Sequence, residues 1–133
     1  MKTVLIATVY LTAAISAYAG DCNSGSGEIL KLTEWSASAR NERATDVSFT
    51  LENVSKRAVQ MVNGTVWFED ALGQGIGGIS ITPDVVVAPG ETIDQKSFMA
   101  GFDRLTKARK QDIQAFSCVD AVLYEDGTKE EFK

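Results

Sequence analysis

The chain has 133 residues, a formal net charge of −5 and no histidine. This length suits one domain with a real hydrophobic core, and the acidic balance disfavours binding to nucleic acid or to anionic lipid. Without histidine, the Ser-His-Asp and Cys-His catalytic arrangements and the common histidine-containing zinc sites are excluded, so no catalytic site, cofactor or metal is expected.

Residues 1–19 have the pattern of a secretory signal peptide. Lys2 provides a positive start, an uncharged and mostly apolar stretch follows, and Ala17 and Ala19 flank Tyr18 in the A-x-A arrangement read by signal peptidase. Cleavage is predicted after Ala19, which makes the protein periplasmic or secreted and one unit more acidic. The apolar stretch is too short for a membrane span, and no other segment qualifies.

Two cysteines, Cys22 and Cys118, remain after the predicted cleavage. Lipidation of Cys22 is rejected, because a bacterial lipoprotein needs a small residue directly before the cysteine and here that residue is Asp21. In an oxidising compartment an isolated pair is typical of one disulfide. The bridge would join the predicted flexible segment, residues 20–27, to a position near the C-terminus and so close most of the chain.

The rest of the chain has the pattern of short strands separated by turns. Runs rich in valine, isoleucine, threonine and aromatic residues predict strands at 28–38, 46–52, 58–70, 79–82, 92–99, 113–124 and 129–132, with one helical turn near 105–109. No helices alternate with these strands. We therefore predict that residues 28–133 form one all-β domain, an antiparallel two-sheet immunoglobulin-like β-sandwich of seven to eight strands.

Asn63-Gly64 admits two interpretations, a tight hairpin turn or a bulge inside one long strand, and the bulge is favoured. It is also part of a glycosylation sequon, as is Asn53-Val54-Ser55. In a eukaryotic secretory pathway both asparagines would be acceptors. Whether the source is bacterial or eukaryotic stays open, and both are interpreted as turn and bulge residues.

Two further motifs invite chemical interpretations. The carboxylate pairs Glu69-Asp70 and Glu125-Asp126 adjoin glycine turns and are predicted to hold those turns rather than serve as acid–base pairs or calcium ligands. The "GQGIGG" stretch, residues 73–78, lacks the Lys-Ser/Thr ending and the following helix of a phosphate loop, so it is predicted to be a flexible turn.

Two groups of side chains are candidate contacts for a ligand or partner. Trp67 and Phe68 are neighbours on a predicted strand, so one ring is expected to face outward unless strand twist and a covering loop bury both, which is the favoured interpretation. The second group is a basic cluster that would dock an acidic partner or polyanionic glycan, or simply be solvated: Arg104, Lys107, Arg109 and Lys110.

The order "LENVSKRAV", "VWFEDALGQGI", "VVVAPGET" and "VLYEDGT", between Leu51 and Phe132, resembles small extracytoplasmic bacterial immunoglobulin-like domains of the FxLYD and telokin-like kind. The resemblance implies an adhesive or accessory module with no shared catalytic residues. We expect a non-catalytic binding domain that engages another protein of unknown identity. A domain that binds a glycan or small ligand through an outward aromatic ring is the alternative.

Overall fold

The computed structural model describes Cys22 and residues 29–132. The described chain contains seven strands and one short helix: β1 Leu30–Ala39, β2 Ala44–Asn53, β3 Val59–Asp70, β4 Gly75–Ser80, β5 Thr92–Ala100, α1 Arg104–Lys107, β6 Ile113–Tyr124 and β7 Lys129–Glu131. A single 3-10 turn, Lys110–Asp112, leads from α1 into β6. The predicted signal peptide and most of the predicted flexible segment lie outside the described residues.

The seven strands form two antiparallel sheets. One sheet has three strands in the order β1-β2-β5, and the other has four in the order β4-β3-β6-β7. Their inward faces pack against each other, and the division of the strands is that of an immunoglobulin-like sandwich whose fourth strand joins the sheet of the third. The predicted all-β, two-sheet fold is confirmed. No helix in the described part is long and apolar enough to cross a membrane.

Strand alternation places the core. On β2, Val47, Phe49 and Leu51 are buried, whereas the residues between them are partly exposed, as a strand with one buried face requires. At the centre, Phe68 from β3 packs edge-on against Trp35 from β1, with ring centroids 5.4 Å apart. Phe68 is therefore an inter-sheet core residue, and the interpretation of it as a partner contact is wrong.

The favoured interpretation of Asn63-Gly64 is confirmed. β3 runs through it without turning, and its register with β6 shifts at this point, since Asn63 pairs with Ala121 but Gly64 pairs with Val119. The extra residue is Asp120 on β6. A side chain on Gly64 would come within 2.8 Å of the Cys118 carbonyl oxygen, so the close approach of the two strands needs glycine here.

The predicted disulfide is present and joins the chain before β1 to strand β6. Cys22 and Cys118 have Cα atoms 5.6 Å apart and are separated by 96 positions in the sequence. Cys118 lies on β6 of the four-stranded sheet, and Cys22 precedes β1 of the three-stranded sheet. A hydrogen bond from the Ser117 hydroxyl to the Leu30 carbonyl connects the same two strands.

Asn53 ends β2 as a buried turn residue rather than an accessible glycosylation site. Its side chain is fully buried. The amide nitrogen donates to the carbonyl oxygens of Arg57 and Val87, and the amide oxygen accepts from the backbone and hydroxyl of Ser55. Every hydrogen-bonding atom of the amide group is thus used, and Asn53 joins the β2–β3 turn to the segment before β5.

The glycine-rich stretch differs from the sequence expectation. Residues 75–80 are strand β4 rather than a turn, and only residues 71–73 reverse the chain. Gly77 faces inward, where a Cβ atom would lie 2.4 Å from the Phe102 ring, and Gly78 faces outward, where it would lie 2.6 Å from the Trp67 ring. Gly77 and Gly78 thus leave room for one aromatic ring on each face of the strand.

Candidate binding face

The turn carboxylates are held by their own turns. Oδ1 of Asp70 accepts the N–H groups of Leu72 and Gln74, and Oδ2 pairs with Arg104 at 2.9 Å. The N–H of Gln74, supported by Arg104 and Leu72, keeps the pKa of Asp70 below its usual range despite the opposing effect of burial. Asp70 is therefore a structural carboxylate.

Asp126 belongs to a second cluster, which we call the Arg57 latch: Arg57, Tyr124, Asp126, Thr128 and Glu130. Asp126 accepts from the hydroxyl and N–H of Thr128 and from Arg57, whose guanidinium lies 3.7 Å above the Tyr124 ring. The hydrogen bonds from Thr128, with those from Arg57, lower the pKa of Asp126 to about 2. The latch fastens the β2–β3 turn to the β6–β7 hairpin.

A surface depression of about 440 Å³ adjoins the Arg57 latch. Its charged lining residues include Arg57 and Asp126, which are already paired with each other. Within the described residues no group of three or more histidine, cysteine, aspartate or glutamate side chains is arranged to hold a metal ion.

The basic cluster is divided among separate internal contacts. Arg104 pairs with Asp70, Lys107 with Asp103 at 2.8 Å and Arg109 with Asp112 at 2.8 Å. Lys110 donates to the Trp35 carbonyl and lies 4.8 Å from the centre of the Trp35 ring. Arg104 and Lys110 therefore fasten the β5–β6 connection to the sandwich, whereas Lys107 and Arg109 form ion pairs within the connection itself.

Trp67 is the exposed member of the predicted aromatic pair. Its side chain is 44% exposed, whereas the neighbouring Phe68 is 1% exposed. The two rings point to opposite sides of β3, as alternation requires, and the favoured interpretation that both are buried is wrong. The six-membered ring of Trp67 lies over Gly78, which leaves the other side of the indole open to solvent.

Trp67 is the centre of what we call the Trp67 face, the outer face of the four-stranded sheet. The register places Met61 opposite Leu123 and Trp67 opposite Phe116. Met61 is 46% exposed, while Phe116 and Leu123 are half-buried. The two apolar pairs lie on the same face but are separated by Asn63, Thr65 and the bridged Cys118.

The outer face of the three-stranded sheet is different in character. Its outward positions on all three strands carry the polar or charged residues Lys31, Glu34, Ser36, Ser38, Asp46, Ser48, Thr50, Glu52, Thr92, Asp94 and Lys96, and the one large apolar side chain among them is Phe98. Arg40 lies 4.7 Å over the Phe98 ring. The outer face of the three-stranded sheet is therefore the more polar of the two.

Sequence reasoning found Trp67 but missed its neighbours Met61, Phe116 and Leu123. The alternation along β6 could be predicted from the sequence. The side of the sheet on which Leu123 lies depends on the extra residue Asp120, which only the strand register reveals. Gly78 was missed because the stretch was interpreted as a turn.

No family model, curated protein or solved structure matches this chain.

Proposed function

We propose that this protein is a periplasmic or secreted, non-catalytic binding module that engages another protein through the Trp67 face. The observation that carries the proposal is the exposed indole of Trp67 beside the half-buried Phe116, on a domain whose opposite outer face is more polar. Tryptophan and methionine are enriched in the centres of protein interfaces, and buried tryptophan often dominates the binding free energy.

Four features support binding without catalysis and a location outside the cytoplasm. The carboxylates of Asp70 and Asp126 are engaged in their own turns. The Cys22–Cys118 disulfide is compatible with an oxidising compartment, as is the signal-peptide pattern of residues 1–19. The resemblance to extracytoplasmic immunoglobulin-like accessory domains points the same way.

Site-directed photo-crosslinking in the producing cells tests the proposal. A photoreactive residue at Met61 samples the Trp67 face, and the same residue at exposed Lys96 samples the opposite sheet. We expect one reproducible protein adduct from position 61 that Trp67→Ala abolishes, and none of it from position 96. The same adduct from both positions, or one that survives Trp67→Ala, would place the partner elsewhere.

A glycan is the second candidate ligand, and the orientation of the Trp67 indole favours it. The ring rests on the backbone at Gly78, so its free side offers a flat surface on which the C–H groups of a sugar ring can stack. Asn63 and Thr65 lie on the same face of β3 and can hydrogen-bond hydroxyl groups. Titration with cell-wall oligosaccharides, read by the emission of Trp67, would reveal this ligand by a saturable change that Trp67→Ala removes.

A further inference from the structure

The edge strand β4 lacks the charged residues and the proline that often protect a sheet edge from strand pairing. Exposed sheet edges are normally blunted by charged residues, proline, extreme shortness or a cover. The other terminal strands of the two described sheets have charged residues: Lys31 and Glu34 on β1, Asp94 and Lys96 on β5, and Lys129, Glu130 and Glu131 on β7. β4, with the sequence GIGGIS, has neither a charge nor a proline over six residues.

The backbone of Gly78 points towards this open edge. In an antiparallel ladder, successive residues direct their N–H and C=O groups alternately towards and away from the neighbouring strand. Ile81 donates to the Gly64 carbonyl of β3. Ile79 and Gly77 therefore bond to β3 in the same way, and the N–H and C=O groups of Gly78 and Ser80 face outward.

The protein caps part of this edge with a side chain. The amide of Gln95, which reaches across from β5, accepts from Thr82 N–H at 2.9 Å and donates to the Ser80 carbonyl at 2.9 Å. It thereby imitates a short piece of neighbouring strand. Within the described residues no equivalent group bonds Gly78, so the open part of the edge begins two residues before the cap.

The open edge and the Trp67 face meet at Gly78. Since the indole of Trp67 lies over this residue, a strand added beside β4 would bring an outward side chain next to the indole. Gly77 and Gly78 have no side chains to hold such a strand away. Recognition by strand addition combines backbone hydrogen bonds with a site that accepts a side chain. The outward backbone groups of Gly78 and the indole of Trp67 supply these two components side by side.

We propose that β4 accepts an extended segment of a partner protein as a fifth strand, which pairs with Gly78 and seats an apolar side chain against Trp67. This rests on the proposed function of the Trp67 face and specifies how the partner binds. A different protein is favoured over a second copy because each copy carries a net charge of −5, or one unit more negative after the predicted cleavage, and two copies repel. The matching segment is uncharged or basic, free of proline and alternately apolar.

Selection of short random linear peptides on the oxidised protein tests this inference and does not require the partner to be identified. We expect enrichment of alternately apolar sequences. Their affinity should fall by about tenfold or more with Trp67→Ala and stay unchanged with Phe98→Ala, an exposed aromatic on the opposite sheet. Circular dichroism establishes that both variants are folded.

Amide hydrogen exchange then reports on the strand directly. In the free protein, Gly78 N–H should exchange rapidly while Ile79 N–H is protected by β3. In the complex, Gly78 N–H should become protected. N-methylation of every second peptide residue should abolish binding when it removes the N–H groups that face β4. Methylation of the other set of alternate residues should leave binding intact. Gln95→Ala, which uncovers Ser80 and Thr82, should strengthen binding by lengthening the available edge.

The outcomes separate this inference from the proposed function. Some peptides could need Trp67 yet leave the exchange of Gly78 N–H unchanged and tolerate N-methylation at either set of alternate residues. That result would overturn strand addition but would still support binding at the Trp67 face. Peptides indifferent to Trp67→Ala, or no selected peptide at all, would overturn strand addition at this edge. A crosslink from position 61 that depends on Trp67 would still uphold the proposed function in that case.

Discussion

Trp67 and Gly78 are cross-strand partners, and the Trp67 side chain occupies the space that a side chain at position 78 would need. Their Cα atoms are opposite each other on β3 and β4, and a Cβ atom on Gly78 would lie 2.6 Å from the indole. This distance is far shorter than an ordinary carbon–carbon contact of about 3.5–4.0 Å. The orientation of the exposed ring therefore depends on glycine at position 78.

Gly78→Ala is expected to displace the Trp67 ring. Overpacking of this kind costs about 1–3 kcal/mol of unfolding free energy, less if the ring swings into solvent. Chemical denaturation measures the first effect, and a change in tryptophan emission with easier quenching by a soluble quencher measures the second. The matched control is Gly75→Ala on the same strand, where a Cβ atom meets nothing within 4 Å. Equal behaviour of the two variants would contradict the packing described.

Removal of the disulfide should weaken the fold without changing its topology. The double variant Cys22→Ala with Cys118→Ala leaves no free thiol and frees a loop of 96 positions. Loss of a native bridge typically costs about 2–5 kcal/mol, so the guanidinium midpoint should fall by a corresponding amount. Reduction of the unmodified protein should produce the same shift. An unchanged midpoint would show that the bridge does not stabilise the domain.

The ionisation of Tyr124 can be followed directly, because the other two tyrosines, Tyr10 and Tyr18, lie in the predicted signal peptide. Burial, with the hydrogen bond to Glu130 at 2.6 Å, raises the pKa of Tyr124 from 10.0 to about 12. The neutral phenol is the form the fold favours, so its stabilising contribution is present below pH 10 and is lost as the pH rises towards 12.

Alkaline absorbance titration of the processed protein should accordingly show one phenolate transition near pH 12, and a transition near pH 10 in denaturant. Glu130→Gln should lower the folded value, since it removes the carboxylate that disfavours the phenolate. A folded transition near pH 10 would indicate that Tyr124 is neither buried nor bonded to Glu130.

The Arg57 latch should make acid stability depend on Asp126. Its pKa falls from 3.8 to about 2 in the folded chain, so its stabilising contribution is complete above about pH 4 and is lost as the pH falls towards 2. Asp126→Asn should flatten the dependence of the melting temperature on pH in this window. Asp84→Asn, which removes a charge from an exposed loop residue, should leave that dependence as it is.

The sequence predicted those elements whose pattern is local. β6 has the predicted bounds, Ile113–Tyr124, because its apolar run is long and ends at the Glu125–Thr128 turn. Pro89-Gly90 forms a turn with positive φ at Gly90, a conformation typical of this dipeptide. The strand predicted at 79–82 overlaps β4 only at Ile79 and Ser80, because the preceding glycines show no alternation. The reason for glycine at positions 77 and 78 lies in Phe102 and Trp67, on other elements.

The candidate site was less predictable because it depends on contacts remote in sequence. The sequence predicted Arg104 as a candidate partner contact, but its guanidinium donates a hydrogen bond to Asp70, 34 positions away. Phe68 and Trp67 were indistinguishable as neighbours on one strand, and only the packing of Phe68 between Trp35 and Phe102 decided which faced inward. Long-range packing of this kind has no local signature.

The Cys22–Cys118 bridge also determines how the domain would carry mechanical load. Tension applied to the chain before Cys22 and after β7 passes through the bridge into β6 and then along residues 119–132. Strands β1 to β5 lie within the covalent loop and stay slack, so they are not extended. Under such pulling β6 and β7 would yield first, and the Trp67–Gly78 contact between β3 and β4 would survive in a domain already partly unravelled.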